Sequence, residues 1–237
     1  GLNYYVKKNK KPEALSIARY GWGKDYHKVI NQRLKRVGRW LTKERPNCRW
    51  KVCVDTSPLL EKAWAEEAGL GWIGKHSNLI NQEYGSWVIL GHLLCTEPLI
   101  SDKPAKPLCG KCQACIETCP TQAITEPFVV NSNRCLAYHT IESKAPELPK
   151  DITSSLGSWI AGCDICQEIC PWNRVELPNS EEPEMQPKNW VLELTKQEAL
   201  SWNDNQWNES LRGSALKRIK PWMWRRNAKA IQSDNYP

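Results

Sequence analysis

Eleven cysteines are present in this 237-residue chain, and eight of them fall into two groups with the spacing of metal-cluster ligands. The first group has a C-x2-C-x2-C-x3-C-P register, and the second is a C-x2-C-x3-C-P run with one more cysteine upstream. In iron–sulfur proteins with the first register, three cysteines bind one [4Fe-4S] cluster and the fourth, followed by proline, binds the neighbouring cluster. Two clusters need eight thiolates, and these positions supply them: Cys109, Cys112, Cys115, Cys119, Cys135, Cys163, Cys166 and Cys170.

The second run departs from the bacterial-ferredoxin register because its first cysteine is missing, and Cys135 is the nearest substitute. We therefore predict two [4Fe-4S] clusters, one on Cys109, Cys112, Cys115 and Cys170, and the other on Cys119, Cys135, Cys163 and Cys166. Exchange of the fourth ligands places the clusters close enough for electron transfer. Structural zinc and a disulfide framework are the alternatives, but neither accounts for this register and its prolines.

Asp55 lies at the junction of a predicted strand and a predicted helix. Residues 51–55 have strand character, and Thr56-Ser57-Pro58 is typical of a helix start, with the helix running to Gly69. Residues 87–95 are mostly apolar, which predicts a strand covered on both faces. Ligands bind at the carboxyl ends of strands in α/β sheets, so Asp55 is a candidate catalytic residue. A helix N-cap is the alternative role.

Two further elements flank this acid. Residues 24–44 are predicted to be helical because apolar residues recur at three- and four-residue steps, namely Val29, Ile30, Leu34, Val37 and Leu41. Residues 69–78 form a glycine-punctuated loop that ends in Lys75, Ser77 and Asn78. Such a loop can approach a ligand closely and donate to amide or phosphate groups, although a plain connecting turn has the same composition.

The charge pattern indicates a nucleic-acid partner. The formal net charge is +7, and the stretch from Arg212 to Lys229 has no acidic residue while it interleaves Trp222 and Trp224 with arginines and lysines. Basic side chains next to stacking surfaces suit RNA, whereas a solvated helix face is the plainer interpretation. No apolar run reaches the eighteen residues of a membrane span, and we expect a cytoplasmic protein without a membrane partner.

Several motifs, taken in order, resemble those of epoxyqueuosine reductases over nearly the whole chain. They are residues 54–61, residues 69–77, the first cysteine run, residues 135–142 and residues 163–174. The resemblance implies an oxidoreductase that depends on cobalamin and two [4Fe-4S] clusters. Such an enzyme removes the epoxide oxygen from epoxyqueuosine in tRNA, the last step of queuosine biosynthesis. A two-cluster electron carrier and a corrinoid reductive dehalogenase are the rival functions, and a truncated paralogue is a third.

The resemblance also implies an α+β architecture. We expect a nitroreductase-like α/β cobalamin-binding domain in residues 1–100, lacking its upstream part. A two-cluster bacterial-ferredoxin-like domain follows in residues 101–180, and a helical segment in residues 181–237. The chain is expected to be a monomer that receives electrons from an external donor.

Individual roles carry over by position. Asp55 matches the family's proton donor, a role that calls for a pocket dry enough to raise a carboxyl pKa. The positions that line the active site or surround the corrin are Asp25, His27, Lys75, Ser77, Leu79, Ala137 and Asp164. The residues expected to contact tRNA are Arg225, Arg226 and Asn227.

Overall fold

The structure is a computed structural model that describes residues 1–174 and 176–232. Its α-helices are α1 (Tyr26–Glu44), α2 (Glu61–Glu67), α3 (Ala114–Glu117), α4 (Leu136–Ile141), α5 (Lys150–Ser155), α6 (Ile165–Glu168), α7 (Asn189–Glu193), α8 (Lys196–Ser201), α9 (Asp204–Ser210) and α10 (Pro221–Ala230). Short 3-10 turns cover Arg19–Gly21, Ser132–Arg134, Pro171–Asn173, Pro183–Met185 and Ala215–Arg218. Helices thus dominate the C-terminal part of the chain.

The strands are short and pair two by two. They are β1 (Leu2–Asn3), β2 (Ser16–Ile17), β3 (Trp50–Cys53), β4 (Trp72–Ile73), β5 (Leu79–Ile80), β6 (Val88–Ile89), β7 (His92–Cys95), β8 (Ile124–Glu126), β9 (Val129–Val130) and β10 (Trp159–Ala161). The antiparallel pairs are β1–β6, β3–β7, β4–β5 and β8–β9, while β2 and β10 are parallel. The content is therefore mixed helix and strand, as predicted.

The prediction of one strand over residues 87–95, covered on both faces, is wrong. The segment forms β6 and β7, separated by Leu90 and Gly91. A Cβ built on Gly91 would lie 2.3 Å from the side chain of Ile30 in α1, so the glycine lets the helix approach the chain between the strands. Leu94 in β7 is exposed, which leaves one face of the β3–β7 pair open.

Helix α1 agrees with the predicted helix, and its first turn is capped by Asp25. The Asp25 carboxylate accepts a hydrogen bond from the backbone N–H of His27. Val29 and Ile30 are buried, whereas Val37 on the predicted apolar face is exposed. Gly38 in α1 lies against the ring of Trp50 in β3.

The predicted helix start at Thr56-Ser57-Pro58 is wrong, because α2 begins only at Glu61. Residues 54–59 turn tightly instead, with backbone hydrogen bonds from Thr56 to Val54 and from Leu59 to Ser57. Asp55 has a left-handed φ of 55° and is not a helix cap. Its backbone N–H donates to the Glu61 carboxylate, which fixes the loop to the start of α2.

The largest core joins three distant parts of the chain. It packs Leu15, Ile17 and Trp22 against α4, α5 and β10, and against the C-terminal helices α7 to α10. The ring of Trp202, which follows α8, stacks on that of Trp224 in α10 with centroids 5.7 Å apart. The division at residues 100 and 180 stays a prediction, and the packing shows that N-terminal residues share a core with both later segments.

Within the described ranges, no helix combines the length and hydropathy needed to cross a bilayer.

Candidate functional site

The first group of thiols gathers around Cys115. This residue lies in α3, and Cys170 follows α6, which packs against α3. Burial, followed by the charges of Cys170, Cys109 and Cys112, raises the pKa of Cys115 to about 11. Such mutual influence requires short separations, so the four predicted ligands of one cluster lie together. Cys112 is exposed, which places this group at the surface.

The second group surrounds a cavity of about 310 Å³. Its wall contains the four predicted ligands Cys119, Cys135, Cys163 and Cys166. The pKa of Cys166 is raised to about 12, by burial first and then by the charges of Asp164, Cys135, Cys115 and Cys119. The influence of Cys115, a member of the first group, shows that the two groups are neighbours.

The donor sets fit cubane clusters. Each group offers four thiols, and thiolates are the usual ligands of [4Fe-4S] centres. The raised pKa values of Cys115 and Cys166 mean that these two bare thiols hold their protons, which cationic iron would displace on binding. The backbone N–H of Ala123 donates to Cys119 Sγ at 3.2 Å, a contact of the kind that tunes cluster potentials. In the described residues no three His, Cys, Asp or Glu side chains form a site for a single metal ion.

A second and larger cavity, of about 640 Å³, lies beside Asp55 and opens to the surface. Its wall is mainly aromatic and aliphatic, with residues that include Tyr20, Tyr26, Leu59, Ile73, Leu79, Val88 and Leu90. Apolar walls with a few polar groups are typical of cofactor pockets. Side chains of this kind can pack against the flat face of a ring cofactor such as a corrin.

Three polar side chains connect at the rim of this pocket. His27 Nδ1 lies 2.8 Å from Asp25 Oδ1, and His27 Nε2 lies 3.1 Å from Asp55 Oδ2. The imidazole also stacks on the ring of Tyr26, with centroids 4.1 Å apart. Burial, followed by the charge of Asp55, raises the pKa of the Tyr26 phenol. One imidazole therefore bridges two carboxylates, an arrangement that can move a proton between them.

In the protein alone, the Asp55 pocket is accessible to water. The Asp55 side chain is 53% exposed and that of His27 is 33% exposed. The predicted desolvation of Asp55 therefore needs a second wall, such as a bound corrin.

Lys75 and Ser77 tie the glycine-rich loop to the cysteine-bearing segment. Lys75 Nζ donates to the backbone carbonyls of Gly110 and Cys112, at 2.9 and 2.7 Å. Ser77 has a φ of 63°, and its hydroxyl donates to the carbonyl of Phe128. The Lys75 ammonium is thus engaged beside the first thiol group, while Ser77 lines the cavity of the second.

The other predicted corrin contacts occupy different environments. Leu79 is buried in the wall of the Asp55 pocket, and Ala137 lines the cavity of the second thiol group. Asp164 is buried and accepts a hydrogen bond from the backbone N–H of Arg19 at 2.7 Å. Burial raises the pKa of Asp164 to about 7, against the stabilising effect of that bond.

Sequence reasoning missed Lys62, which together with Asn78 lines both cavities. One signal was available for the lysine. It lies in the first turn of α2, where a positive charge opposes the helix dipole, so its position calls for an explanation other than helix stability.

The three predicted tRNA contacts differ in exposure. Arg226 is 7% exposed and Asn227 is fully buried. The Arg226 guanidinium donates to the carbonyls of His139, Ser143 and Ala145, and the Asn227 amide donates to those of Thr140 and Ile160. Arg225, in contrast, forms a partly exposed ion pair with Asp204. Only Arg225 of the three therefore presents its side chain at the surface.

Together, the mixed fold, the two thiol groups and the apolar pocket beside Asp55 are those of an iron–sulfur oxidoreductase. Residues 108–173 match the model of a 4Fe-4S double cluster binding domain, and residues 1–56 match that of epoxyqueuosine reductase QueG, DUF1730. The epoxyqueuosine reductase of Synechococcus sp. (strain CC9605) is 63% identical over 237 residues, covering 100% of this chain and 74% of the relative. That of Escherichia coli (strain K12) is 40% identical over 228 residues, which cover 96% of this chain and 59% of the relative. The chain belongs to the epoxyqueuosine reductase family.

Solved structures agree with this assignment. A selenomethionine-labelled epoxyqueuosine reductase superposes with a TM-score of 0.89 at 29% identity, and it covers 97% of this chain. An epoxyqueuosine reductase with an epoxyqueuosine-modified tRNA-Tyr stem loop gives a TM-score of 0.88 at 29% identity and the same coverage. The chain spans 61% of the length of each.

Proposed function

We propose that this chain reduces epoxyqueuosine to queuosine in tRNA. The observation that carries the proposal is the Asp25–His27–Asp55 bridge at the rim of an apolar pocket, next to two sets of four thiols. A two-cluster electron carrier needs the thiols but has no use for the bridge or the pocket. Family membership and the stem-loop complex of a relative support the same substrate.

The proposed role of Asp55 follows from the balance of the reaction. Removal of an epoxide oxygen as water consumes two electrons and two protons, and leaves a carbon–carbon double bond. Asp55 lines the pocket and would protonate the departing oxygen. His27 Nε2, at 3.1 Å from Asp55 Oδ2, would return a proton to it. Asp25 holds the other ring nitrogen and so keeps the imidazole oriented.

The chain's residues also suggest a direction for the electrons. Cys112 of the first group is exposed, so we assign that group to the side that receives electrons from an external donor. The second group lines a cavity that shares Lys62 and Asn78 with the Asp55 pocket, so we assign it to the inner side. When bound, two [4Fe-4S] clusters and cobalamin supply the electron transfer and the reduction that side chains cannot perform.

Cobalamin would be held by a nitroreductase-like domain. Its proposed contacts are Leu79 in the wall of the Asp55 pocket, Ser77 and Ala137 in that of the neighbouring cavity, and the segments around Lys75 and Asp164. Since the Lys75 ammonium is bonded to carbonyls of the first cysteine run, a contact there would come from the backbone.

We propose that the RNA contacts a basic surface that includes Arg225. Arg226 and Asn227 would support α10 from inside and position Arg225 indirectly, because their polar groups are bonded to buried carbonyls. Trp222 next to Arg225 is 41% exposed and offers a stacking surface. The enzyme would act in the cytoplasm as a monomer.

The test is anaerobic reconstitution of the full chain with iron, sulfide and cobalamin. We expect eight irons and one corrin per chain. Iron without corrin would favour the electron carrier and refute the proposal. Turnover of a halogenated small molecule, with no change in epoxyqueuosine tRNA, would favour the reductive dehalogenase instead.

A further inference from the structure

Lys62 and Asn78 form the partition between the Asp55 pocket and the cavity of the second thiol group. Both residues line both cavities. Lys62 lies in the first turn of α2, and its side chain is exposed. Because it lines both cavities, groups bound in either cavity would lie beside it.

The contacts of Lys62 hold its ammonium in place without neutralising it. Nζ donates to the carbonyl of Ser77 at 2.6 Å and to Asn78 Oδ1 at 3.3 Å. Among the described residues, no carboxylate lies within 4.0 Å of this nitrogen. Because its hydrogen-bond acceptors are neutral, the Lys62 ammonium keeps its full positive charge, and its electric field acts on nearby charged groups.

The negative groups that feel this field are on both sides of the partition. Burial is the largest effect on Lys62 and lowers its pKa, while the Asp55 carboxylate and Cys166 in its ionised form, as a cluster ligand would be, favour the charged ammonium. Cys166 belongs to the inner thiol group and Asp55 to the pocket. The Lys62 ammonium thus lies between the inner thiol group, whose cluster would receive the electron, and the Asp55 pocket, where the electron would be used.

We propose that Lys62 sets the reduction potential of the inner cluster, the one bound by Cys119, Cys135, Cys163 and Cys166. Adding an electron to a cluster increases its negative charge, and a fixed cation nearby stabilises that state and makes the potential less negative. This inference rests on the cluster binding in the proposed function, but it does not require a particular substrate. Lys62 acts through the cluster and is a positioning residue, not a catalytic one.

Lys75 provides an internal comparison at the outer cluster. Its ammonium is also bonded to neutral acceptors, the carbonyls of Gly110 and Cys112. The two lysines therefore lie beside different thiol groups. Removing the charge of Lys62 is expected to shift the midpoint potential of the inner cluster, and removing that of Lys75 is expected to shift the midpoint potential of the outer cluster.

The experiment is a potentiometric titration of the reconstituted full chain, with dithionite as reductant, followed by electron paramagnetic resonance. The variants are Lys62→Gln, which keeps a donor for the Ser77 carbonyl but loses the charge, and Lys62→Arg, which keeps the charge. Cys135→Ser identifies the inner signal because it changes one inner ligand. Lys75→Gln tests the outer cluster, and Lys8→Gln controls for an exposed lysine elsewhere.

Lys62→Gln should move the inner midpoint to a more negative potential and leave the outer one in place, while Lys62→Arg stays close to the wild type. Unchanged midpoints in Lys62→Gln, or equal shifts of both clusters, would overturn the proposal. Loss of the cluster in Lys62→Gln but not in Lys62→Arg would also overturn it, since Lys62 would then be needed for assembly. The potentials are read without tRNA, so a chain with normal shifts but no turnover would refute the proposed function alone.

Discussion

Arg226 is expected to stabilise the fold, in contrast to its neighbour Arg225. It lies in α10 but donates to three carbonyls at and beyond the end of α4, those of His139, Ser143 and Ala145, at 2.6 to 2.8 Å. The residue is only 7% exposed, so water cannot replace it as a donor. Arg226→Ala would leave these carbonyls without their donor.

The magnitude follows from these contacts. Each buried acceptor that loses its partner costs about 1 kcal/mol or more, which gives roughly 3 kcal/mol for three carbonyls. For a chain of this length, 1 kcal/mol lowers Tm by about 2–4 °C, so Arg226→Ala should lose roughly 6–12 °C. Arg225→Ala removes a partly exposed ion pair and should cost less than about 1 kcal/mol.

The assay is thermal unfolding of the reconstituted protein, followed by circular dichroism at equal cluster content. Binding of the tRNA anticodon stem loop is measured on the same samples. Arg225→Ala should weaken RNA binding with little loss of Tm, and Arg226→Ala should lose Tm. If both variants melt within 2 °C of each other, the structural role of Arg226 is refuted.

Three other predictions concern packing, capping and ligation. Gly38→Ala should lower the free energy of unfolding by about 1–3 kcal/mol in chemical denaturation, because the new Cβ would lie 2.4 Å from the Trp50 ring. Alanine favours helices, so a stabilised variant would contradict this packing. Thr195→Ala should cost about 1 kcal/mol in the same assay because it removes the capping box with Glu198, and an unchanged midpoint would show that the box contributes nothing. Cys135→Ser should disturb one cluster in iron analysis and spectroscopy while Cys95→Ser disturbs none, and equal effects would refute the ligand assignment.

The 4Fe-4S double cluster binding domain and α1 could be predicted because their signals are local, while the assignment of individual ligands stays a prediction. Ligand spacing is set by the cluster's own geometry, and the 3.6-residue period of α1 is visible in its sequence. The crossed assignment of Cys170 agrees with its nearness to Cys109 and Cys112, both of which raise its pKa after burial. The parallel pair of β2 and β10 joins residues more than 140 positions apart, and no local pattern encodes such a contact.

The misplaced start of α2 has a local physical reason. Threonine, serine and proline suit a helix start, but Asp55 adopts a left-handed φ and its N–H bonds to Glu61. The chain therefore uses five more residues before the helix begins. That loop is what brings Asp55 within reach of His27.

The C-terminal basic run shows how composition can hide periodicity. Its arginines and tryptophans suit an RNA surface, yet Met223, Trp224, Asn227 and Ala228 lie on the buried side of α10. The helical repeat that joins Met223 to Asn227 was present in the sequence. That repeat places Asn227 on the buried side of α10, apart from the exposed part of the helix.

The most direct test of the account is turnover of epoxyqueuosine-bearing tRNA by the fully loaded chain, with the wild type compared with Asp55→Asn. Asp102→Asn serves as the control because it changes an exposed carboxylate elsewhere. Nucleosides from digested tRNA are quantified by mass spectrometry at equal iron and corrin content. The account predicts queuosine from the wild type and the control, and a loss of at least about a hundredfold in Asp55→Asn. Wild-type rates from Asp55→Asn would contradict it.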